Sequence, residues 1–363
     1  MHKAKIKIAI ITRSLANGGA ERSCGLQSVL LSDYGYLVHV VTVLDEVEFD
    51  FKGEILNLGK LKNKDNSSFG RFKRMLVLRQ YLKKNNFDYI IDHRPRSASW
   101  SELLISKLVY PPKKTIFVVH SFKIDKYFPK ITWIAKIIYK QAPFIVTVSD
   151  EIKAAVIKQF DYKNVLVIYN PIDSKQINFL AKQEKVTGNF ILAYGRIEDD
   201  VKNYSLLIAG YAKSQLPLKG VLLYIMGDGK DVVMLKRKVA DLNLSDKIIF
   251  KPKITNPFPY VQAALFTTLT SKYEGFPMVI IESLALATPV IAVDCHSGPR
   301  EIIANEQNGL LIENNNAVAL SHAMNRFVND AALYKNCKSN AAGSVAHLSL
   351  ESIAKQWQQL LSK

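Results

Sequence analysis

Short apolar runs rich in valine and isoleucine alternate along the chain with longer segments of helical period, the pattern of parallel strands joined by crossover helices. In the first half the runs predict strands at Lys5–Thr12, Leu37–Val43, Glu54–Leu58, Asp88–Asp92, Thr115–His120, Phe144–Ser149 and Asn164–Tyr169, with helices between them. In the second half they predict strands at Phe190–Tyr194, Val221–Met226, Ile248–Phe250, Leu265–Leu269 and Pro289–Val293. Helices are expected there near 203–213, 231–241, 278–287, 316–328 and 350–361. No internal repeat is evident, so the reading is two doubly wound α/β units. Pro171 to Gly188, with Asp173, Lys175, Gln183, Glu184 and Lys185, is the most polar connection, and the boundary is expected there, giving units 1–175 and 176–345.

A chain of 363 residues with 48% hydrophobic content has material for two cores, which makes disorder an unsuitable reading. Cys24, Cys295 and Cys337 are too scattered for a zinc set or a disulfide framework, which points to a reducing compartment and a cytoplasmic location. No run approaches the roughly 18 apolar residues of a membrane span, so any membrane contact is expected to be peripheral. The net charge of +17 is concentrated: residues 51–140 hold 20 lysines and arginines against 6 acidic residues. Such a quarter could meet nucleic acid or the anionic inner face of the plasma membrane. Within it, a helix from about Pro129 would set Trp133, Ile134, Ile137 and Ile138 along one stripe among lysines, either packed on the sheet or lying at a bilayer interface. A nucleic-acid binder would need stacking aromatics interleaved with the cations, and no RNA or DNA module is recognisable, so no nucleic-acid partner is expected.

The densest chemistry lies in Ser271–Ser283. Here Glu274 and Glu282 stand either side of a Gly275–Phe276–Pro277 turn that opens an apolar helix. Pro277 suits a first helical position, and the N–H groups from about Met278 and Val279 onward would point unpaired toward the loop, where a phosphate could sit. Glu282 falls one turn inside the helix, so the two carboxylates would reach different parts of one ligand, accepting hydrogen bonds from vicinal hydroxyls. Gly195, Arg196, Lys202 and Asn203 follow a strand, and the two cations could neutralise a diphosphate, although Glu198, Asp199 and Asp200 could compete for them. Gly227 and Asp228 form a further strand-end turn. Gly18 and Gly19 precede a helix beginning near Ala20 and could offer amides to an anion. No Asp-x-Asp motif occupies a suitable loop, so neither a metal nor a cofactor is expected. A glycosidase pair of carboxylates would not need these basic partners.

The Glu-x7-Glu spacing, headed by Glu274-Gly-Phe-Pro and tailed by Glu282-Ser-Leu-Ala, resembles the signature of retaining glycosyltransferases of family 4, which have the GT-B fold. Gly18-Gly19-Ala20-Glu21-Arg22, Asn170-Pro171-Ile172-Asp173, Gly195-Arg196 with Lys202-Asn203, Gly227-Asp228-Gly229 and Ser297-Gly298-Pro299-Arg300-Glu301-Ile302 occur in the family's order. The last variant looks most like bacterial enzymes of surface or lipid-linked oligosaccharides. The resemblance implies two Rossmann-like units facing a cleft, an N-terminal acceptor domain and a C-terminal donor domain, with the last helix crossing back to the first unit. It implies a nucleotide-sugar donor, with a UDP-sugar the first expectation, and a saccharide or lipid-linked acceptor. Glu274 would then serve the transferred sugar, Glu282 the ribose, and His120 the reacting centre. His93, Arg94 and Arg300 are candidates for acceptor or sugar contact. A GT-B sugar-nucleotide epimerase would share the cleft without an acceptor.

Overall fold

A computed structural model describes residues 5–362, which divide into two compact units. The first runs to Pro171 and takes in the chain again from Leu350; the second is Ile172–Ser349.

In the first unit seven strands form one sheet: β1 Lys7–Thr12, β2 Leu37–Thr42, β3 Glu54–Asn57, β4 Tyr89–Asp92, β5 Thr115–Val119, β6 Ile145–Thr147 and β7 Val165–Val167. Their order is β3-β2-β1-β4-β5-β6-β7, and the pairings are parallel throughout. Both faces are covered, which is why Ile8–Ile11 and Ile116–Val119 read as continuous apolar runs and are buried. The order reverses between β1 and β4, and at such a switch point the carboxyl ends of neighbouring strands diverge and leave a crevice.

The second unit repeats the plan with β8 Phe190–Tyr194, β9 Leu222–Met226, β10 Ile248–Lys251, β11 Thr267–Leu269, β12 Val290–Val293 and β13 Gly309–Ile312. The order is β10-β9-β8-β11-β12-β13, again parallel, with the switch point between β8 and β11. Strand β13 escapes the sequence pattern. It is four residues long and opens on Asn308-Gly309, which reads as a turn.

The polar stretch after Pro171 is not a bare connection. Asp173 caps a helix, Ser174–Ala181, by accepting the Gln176 N–H at 2.9 Å. The Asn178 and Asn256 amides then tie this helix into the second unit through the Ala285 and Leu180 carbonyls. The terminal helix, Leu350–Leu361, buries Ile353, Ala354, Trp357, Leu360 and Leu361 on one stripe and packs in the first unit against helix Gly19–Asp33. The Tyr89 hydroxyl donates to the Leu361 carbonyl at 3.1 Å.

Four large apolar side chains on that stripe, at about 1.5–3 kcal/mol each, amount to a sum comparable with the whole stability of an ordinary domain. A chain ending at residue 349 is therefore expected to lose the calorimetric transition of the first unit and keep that of the second. An unchanged first transition would show that the terminal helix contributes little.

Candidate active site

In the second unit the site grows from the β8/β11 switch point. After β8 the chain turns through Gly195, whose N–H donates to the Met226 carbonyl at 2.9 Å, and Ile197 N–H reaches the Asp228 carbonyl at 2.8 Å. The two strand-end loops are thus zipped together. A Cβ on Gly227 would lie 1.9 Å from the Gly195 oxygen, and one on Gly229 would lie 2.0 Å from the Ile197 oxygen. That close approach accounts for the Gly227-Asp228-Gly229 motif.

A one-turn helix, Asp199–Lys202, follows and is docked on β11's loop. The Thr270 hydroxyl bonds to the Lys202 carbonyl at 3.0 Å, and Lys272 N–H donates to the Val201 carbonyl at 2.8 Å. Lys202 Nζ then meets Glu274 Oε1 at 2.7 Å, both side chains being largely shielded. The contact spans the switch point. Glu274 is fixed from its other side, where its N–H donates to the His296 carbonyl at 3.0 Å and the Ser297 hydroxyl donates to the Gly275 carbonyl at 2.6 Å.

The nearby acids do not take Lys202. Glu198 pairs with Arg196 at 3.2 Å, leaving that guanidinium half-exposed. Asp200 pairs with Lys230 at 2.7 Å, while Asp199 accepts the Ser205 N–H at 2.7 Å. Asn203 takes a left-handed conformation between two helices and donates to Asn315 Oδ1 at 3.2 Å.

Helix Met278–Ala285 begins one residue later than its proline predicted: Pro277 is the N-cap, in extended conformation, and no side chain caps the helix. The Met278 and Val279 N–H groups, the first two of the helix, are therefore available to an anion. Glu282, buried one turn in, is oriented by the Tyr194 hydroxyl, 3.0 Å from Oε2 and 3.1 Å from the Val279 carbonyl. Phe276 is also buried. The Arg300 guanidinium forms a two-point pair with Asp294.

In the first unit the corresponding switch point gathers different chemistry. Helix Gly19–Asp33 starts at an N-cap of Gly18, over which the Glu21 carboxylate folds back. From that helix Gln27 Oε1 lies 2.7 Å from His93 Nε2, and His93 Nδ1 lies 2.8 Å from His120 Nε2. An amide oxygen only accepts, so His93 carries its proton on Nε2 and His120 donates from its own Nε2. His120 Nδ1 is left as a bare, buried acceptor without a hydrogen-bond partner among the described residues. Burial holds the pKa of His93 well below the ordinary range, and burial with the nearby Arg96 charge takes that of His120 down to about 3.

Beneath the pair lies a buried ionic cluster. Arg94 makes a two-point contact with Asp92 at 3.0 and 2.9 Å and reaches Glu102 at 3.3 Å. Arg96 donates to the Asp92, Arg94 and Val118 carbonyls and to the Tyr139 hydroxyl, with the Phe117 and Tyr127 rings packed around it. Arg94 thus spends its charge inside the protein. Arg96, which the sequence gives no reason to single out, spans from β4's end to β5 and fixes the two strands that carry the histidines.

Two family models match the chain: Glycosyltransferase Family 4 over residues 17–176 and Glycosyl transferases group 1 over residues 174–343. Among curated relatives, a Campylobacter jejuni N-acetylgalactosamine-N,N'-diacetylbacillosaminyl-diphospho-undecaprenol 4-alpha-N-acetylgalactosaminyltransferase is 26% identical, with 92% of this chain and 93% of that protein covered. The amylovoran biosynthesis glycosyltransferase AmsD of Erwinia amylovora is also 26% identical, covering 98% and 99%. Among solved structures, S. aureus TarM in complex with fondaparinux, alpha-GlcNAc-glycerol and UDP superposes with a TM-score of 0.79 at 17% identity, covering 99% of this chain and all of that one.

This chain belongs to glycosyltransferase family 4. Its two Rossmann-like units are those of the GT-B class, and its relatives build bacterial surface and lipid-linked glycans.

Within this glycosyltransferase the structure brings Gly195, Arg196, Lys202, Asn203, Gly227, Asp228, Glu274, Gly275, Phe276, Pro277, Met278, Val279 and Glu282 to the carboxyl edge of the second sheet. Gly18, Gly19, His93, Arg94 and His120 lie at the same edge of the first. Tyr194, Gln27 and Arg96 are the site's unforeseen members. Each ends or follows a strand or sits on the helix after one, but only the fold shows what it touches.

Two outcomes follow for the glycosyltransferase. Below pH 6.5, the ordinary histidine value, the unfolded chain takes up protons that His93 and His120 refuse in the fold. Stability from this pair is complete above about pH 6.5 and falls as pH drops toward 3; melting temperature against pH should show this slope, and His120→Asn should reduce it. Arg96→Leu leaves the buried Asp92 carboxylate short of one of its two cations and the Val118 carbonyl without this donor, so chemical denaturation should report a loss of about 3–5 kcal/mol.

Proposed function

We propose that this glycosyltransferase moves a hexose or N-acetylhexosamine from a UDP-sugar to a saccharide or lipid-linked saccharide, with retention of anomeric configuration and without a metal. The observation that carries the reading is the Lys202–Glu274 contact at the β8/β11 switch point, beside the uncapped helix start at Met278. A diphosphate lodged there meets an ammonium, the half-exposed Arg196 guanidinium and free backbone amides, and these three can absorb the charge that grows as the glycosidic bond breaks. Glu282, oriented by Tyr194, accepts from the ribose diol, and Glu274 accepts from hydroxyls of the transferred sugar.

UDP is present in the TarM complex and in that of HepE from Anabaena, which supports the choice of nucleotide. The undecaprenol diphosphate in the Campylobacter relative's name supports a lipid-linked acceptor. Glu274 is occupied by Lys202, which makes it a poor nucleophile. The proposed course is therefore front-face: the bond from anomeric carbon to phosphate oxygen breaks, the acceptor oxygen bonds to that carbon on the same side, and the hydroxyl proton passes to the departing phosphate. His120, with a pKa of about 3, is too weak a base for that proton at neutral pH and serves as a hydrogen-bond acceptor for a sugar hydroxyl.

The near-isosteric variants Lys202→Met and Glu274→Gln should each lower kcat by about a hundredfold or more while leaving the far-UV spectrum unchanged. UDP should raise the melting temperature of wild type and raise it less in Lys202→Met. Wild-type turnover by both variants would refute the site, and an inverted anomer in the product NMR spectrum would refute retention. Chelation with EDTA should leave the rate unchanged.

A further inference from the structure

Three groups with available lone pairs converge at the switch point of the first sheet. Helix Gly19–Asp33 carries Cys24 and Gln27 three positions apart, and so on one face, against the ends of β4 and β5. The Cys24 sulfur and one ring nitrogen each from His93 and His120 all lie within 4.8 Å of one another. Cys24 and His93 are buried, while His120 is half-buried and gives an ion a way in. Gln27 decides how His93 is presented. Its Oε1 takes the Nε2 proton of His93 and leaves the Nδ1 lone pair directed toward His120. A metal-binding imidazole is held in the same way, its second N–H donating to an oxygen. His120 has in addition a buried Nδ1 with no hydrogen-bond partner among the described residues.

We propose that Cys24, His93 and His120 bind Zn2+, and that the bound ion shuts off transfer. The three cysteines form no zinc set with one another, but Cys24 joins two histidines that the sequence leaves far away. A thiolate with two imidazoles suits a borderline-soft ion, and no carboxylate stands among the three donors to favour Mg2+ or Ca2+. Tetrahedral zinc sets sulfur and nitrogen donors roughly 3.3–3.6 Å apart, so side-chain shifts on the order of 1 Å close the triad around it. On binding, the hydrogen bond between His93 and His120 opens, and Cys24 loses its thiol proton to solvent as the S–Zn bond forms. Both imidazoles stay neutral, His120 keeping its one N–H on the nitrogen that the ion does not take. No group is oxidised or reduced. Exchange of a proton for a dication adds one positive charge near Arg96, and the Glu21 and Asp92 carboxylates, whose charges act on the Cys24 sulfur, offset it. The fourth position is left to water. With a lone pair committed to the ion, His120 no longer accepts from a sugar hydroxyl. The inhibition rests on that role of His120 in the proposed function; the binding does not, and transfer itself stays metal-free.

The test uses the full chain, freed of metal by EDTA and then titrated with Co2+ as a coloured stand-in for Zn2+. One Co2+ per chain should produce a thiolate-to-cobalt charge-transfer band in the near ultraviolet and the visible bands of a tetrahedral ion, and Zn2+ should bleach both. Cys24→Ser and Cys24→Ala, which keep the small buried volume, should both lose the charge-transfer band while retaining metal-free turnover and a cooperative thermal transition. Gln27→Leu should keep the band but weaken Zn2+ binding, read by competition with a chelator, about 10–100-fold. Zn2+ should inhibit the wild type, EDTA should restore it, and both Cys24 variants should resist the same Zn2+ concentration. Absence of the band in the wild type, or its survival in the Cys24 variants, would overturn the site. Zn2+ held through Cys24 with turnover intact would overturn the inhibition. A cobalt band in a chain that transfers from no UDP-sugar would support the site and defeat the functional reading alone.

Discussion

The contact between the Lys202 ammonium and the Glu274 carboxylate decides how the second unit can work. It joins loops that leave β8 and β11, the two strands from which the chain departs in opposite directions. Without a bond across it, a switch point is only a gap between diverging loops. The backbone prepares the contact: Thr270 and Lys272 hold the short helix that carries Lys202, and His296 and Ser297 hold the loop that carries Glu274. Desolvating two charges offsets much of their attraction, so the pair adds little to stability by itself. Its effect is positional, because a lysine otherwise free to explore many rotamers is held on Glu274, in the loop that leads into helix Met278–Ala285.

The first unit meets a similar constraint with buried charge. Asp92 is fully buried and Arg96 is 1% exposed, an arrangement tolerated only when the charges are paired and hydrogen-bonded. Arg96 achieves this through three backbone carbonyls and a tyrosine hydroxyl, and Arg94 through two carboxylates. Because those carbonyls belong to residues at the ends of β4 and β5, the cluster sets the spacing of His93 and His120. The Arg96 charge also reinforces burial in keeping His120 neutral.

What the sequence makes legible follows from how local each signal is. Twelve of the strands are apolar runs bounded by turns, and a period-based reading finds them because each is specified by its own residues. Gly309–Ile312 is missed because four residues after Asn-Gly resemble a turn until β12 pairs with them. The Ser174–Ala181 helix is hidden by polar residues whose stabilising contacts come from Asn178 and Asn256. The motif positions at the second sheet's edge are legible as strand ends. Their pairing is not: Lys202 and Glu274 are separated by 72 residues, and no periodicity relates them. Arg96 is equally silent, since an arginine after a strand is ordinarily solvated, and only tertiary packing makes it the centre of a cluster.

The histidine pair shows how environment, rather than residue type, sets the chemistry open to a side chain. A histidine at a strand end invites the role of proton acceptor, because its ordinary pKa lies near neutrality. Here Gln27 fixes the proton on one side of His93, His93 accepts from His120, and burial keeps both rings neutral. The outcome is a directed lone pair on His120 Nδ1 that stays uncharged at neutral pH, since its protonation would bring a cation toward Arg96 in a dry setting. Such a group can orient a hydroxyl without removing its proton. Each sheet thus carries its own kind of chemistry at its carboxyl edge: the second gathers charged groups around Lys202 and Glu274, and the first gathers neutral, oriented ones around His93 and His120.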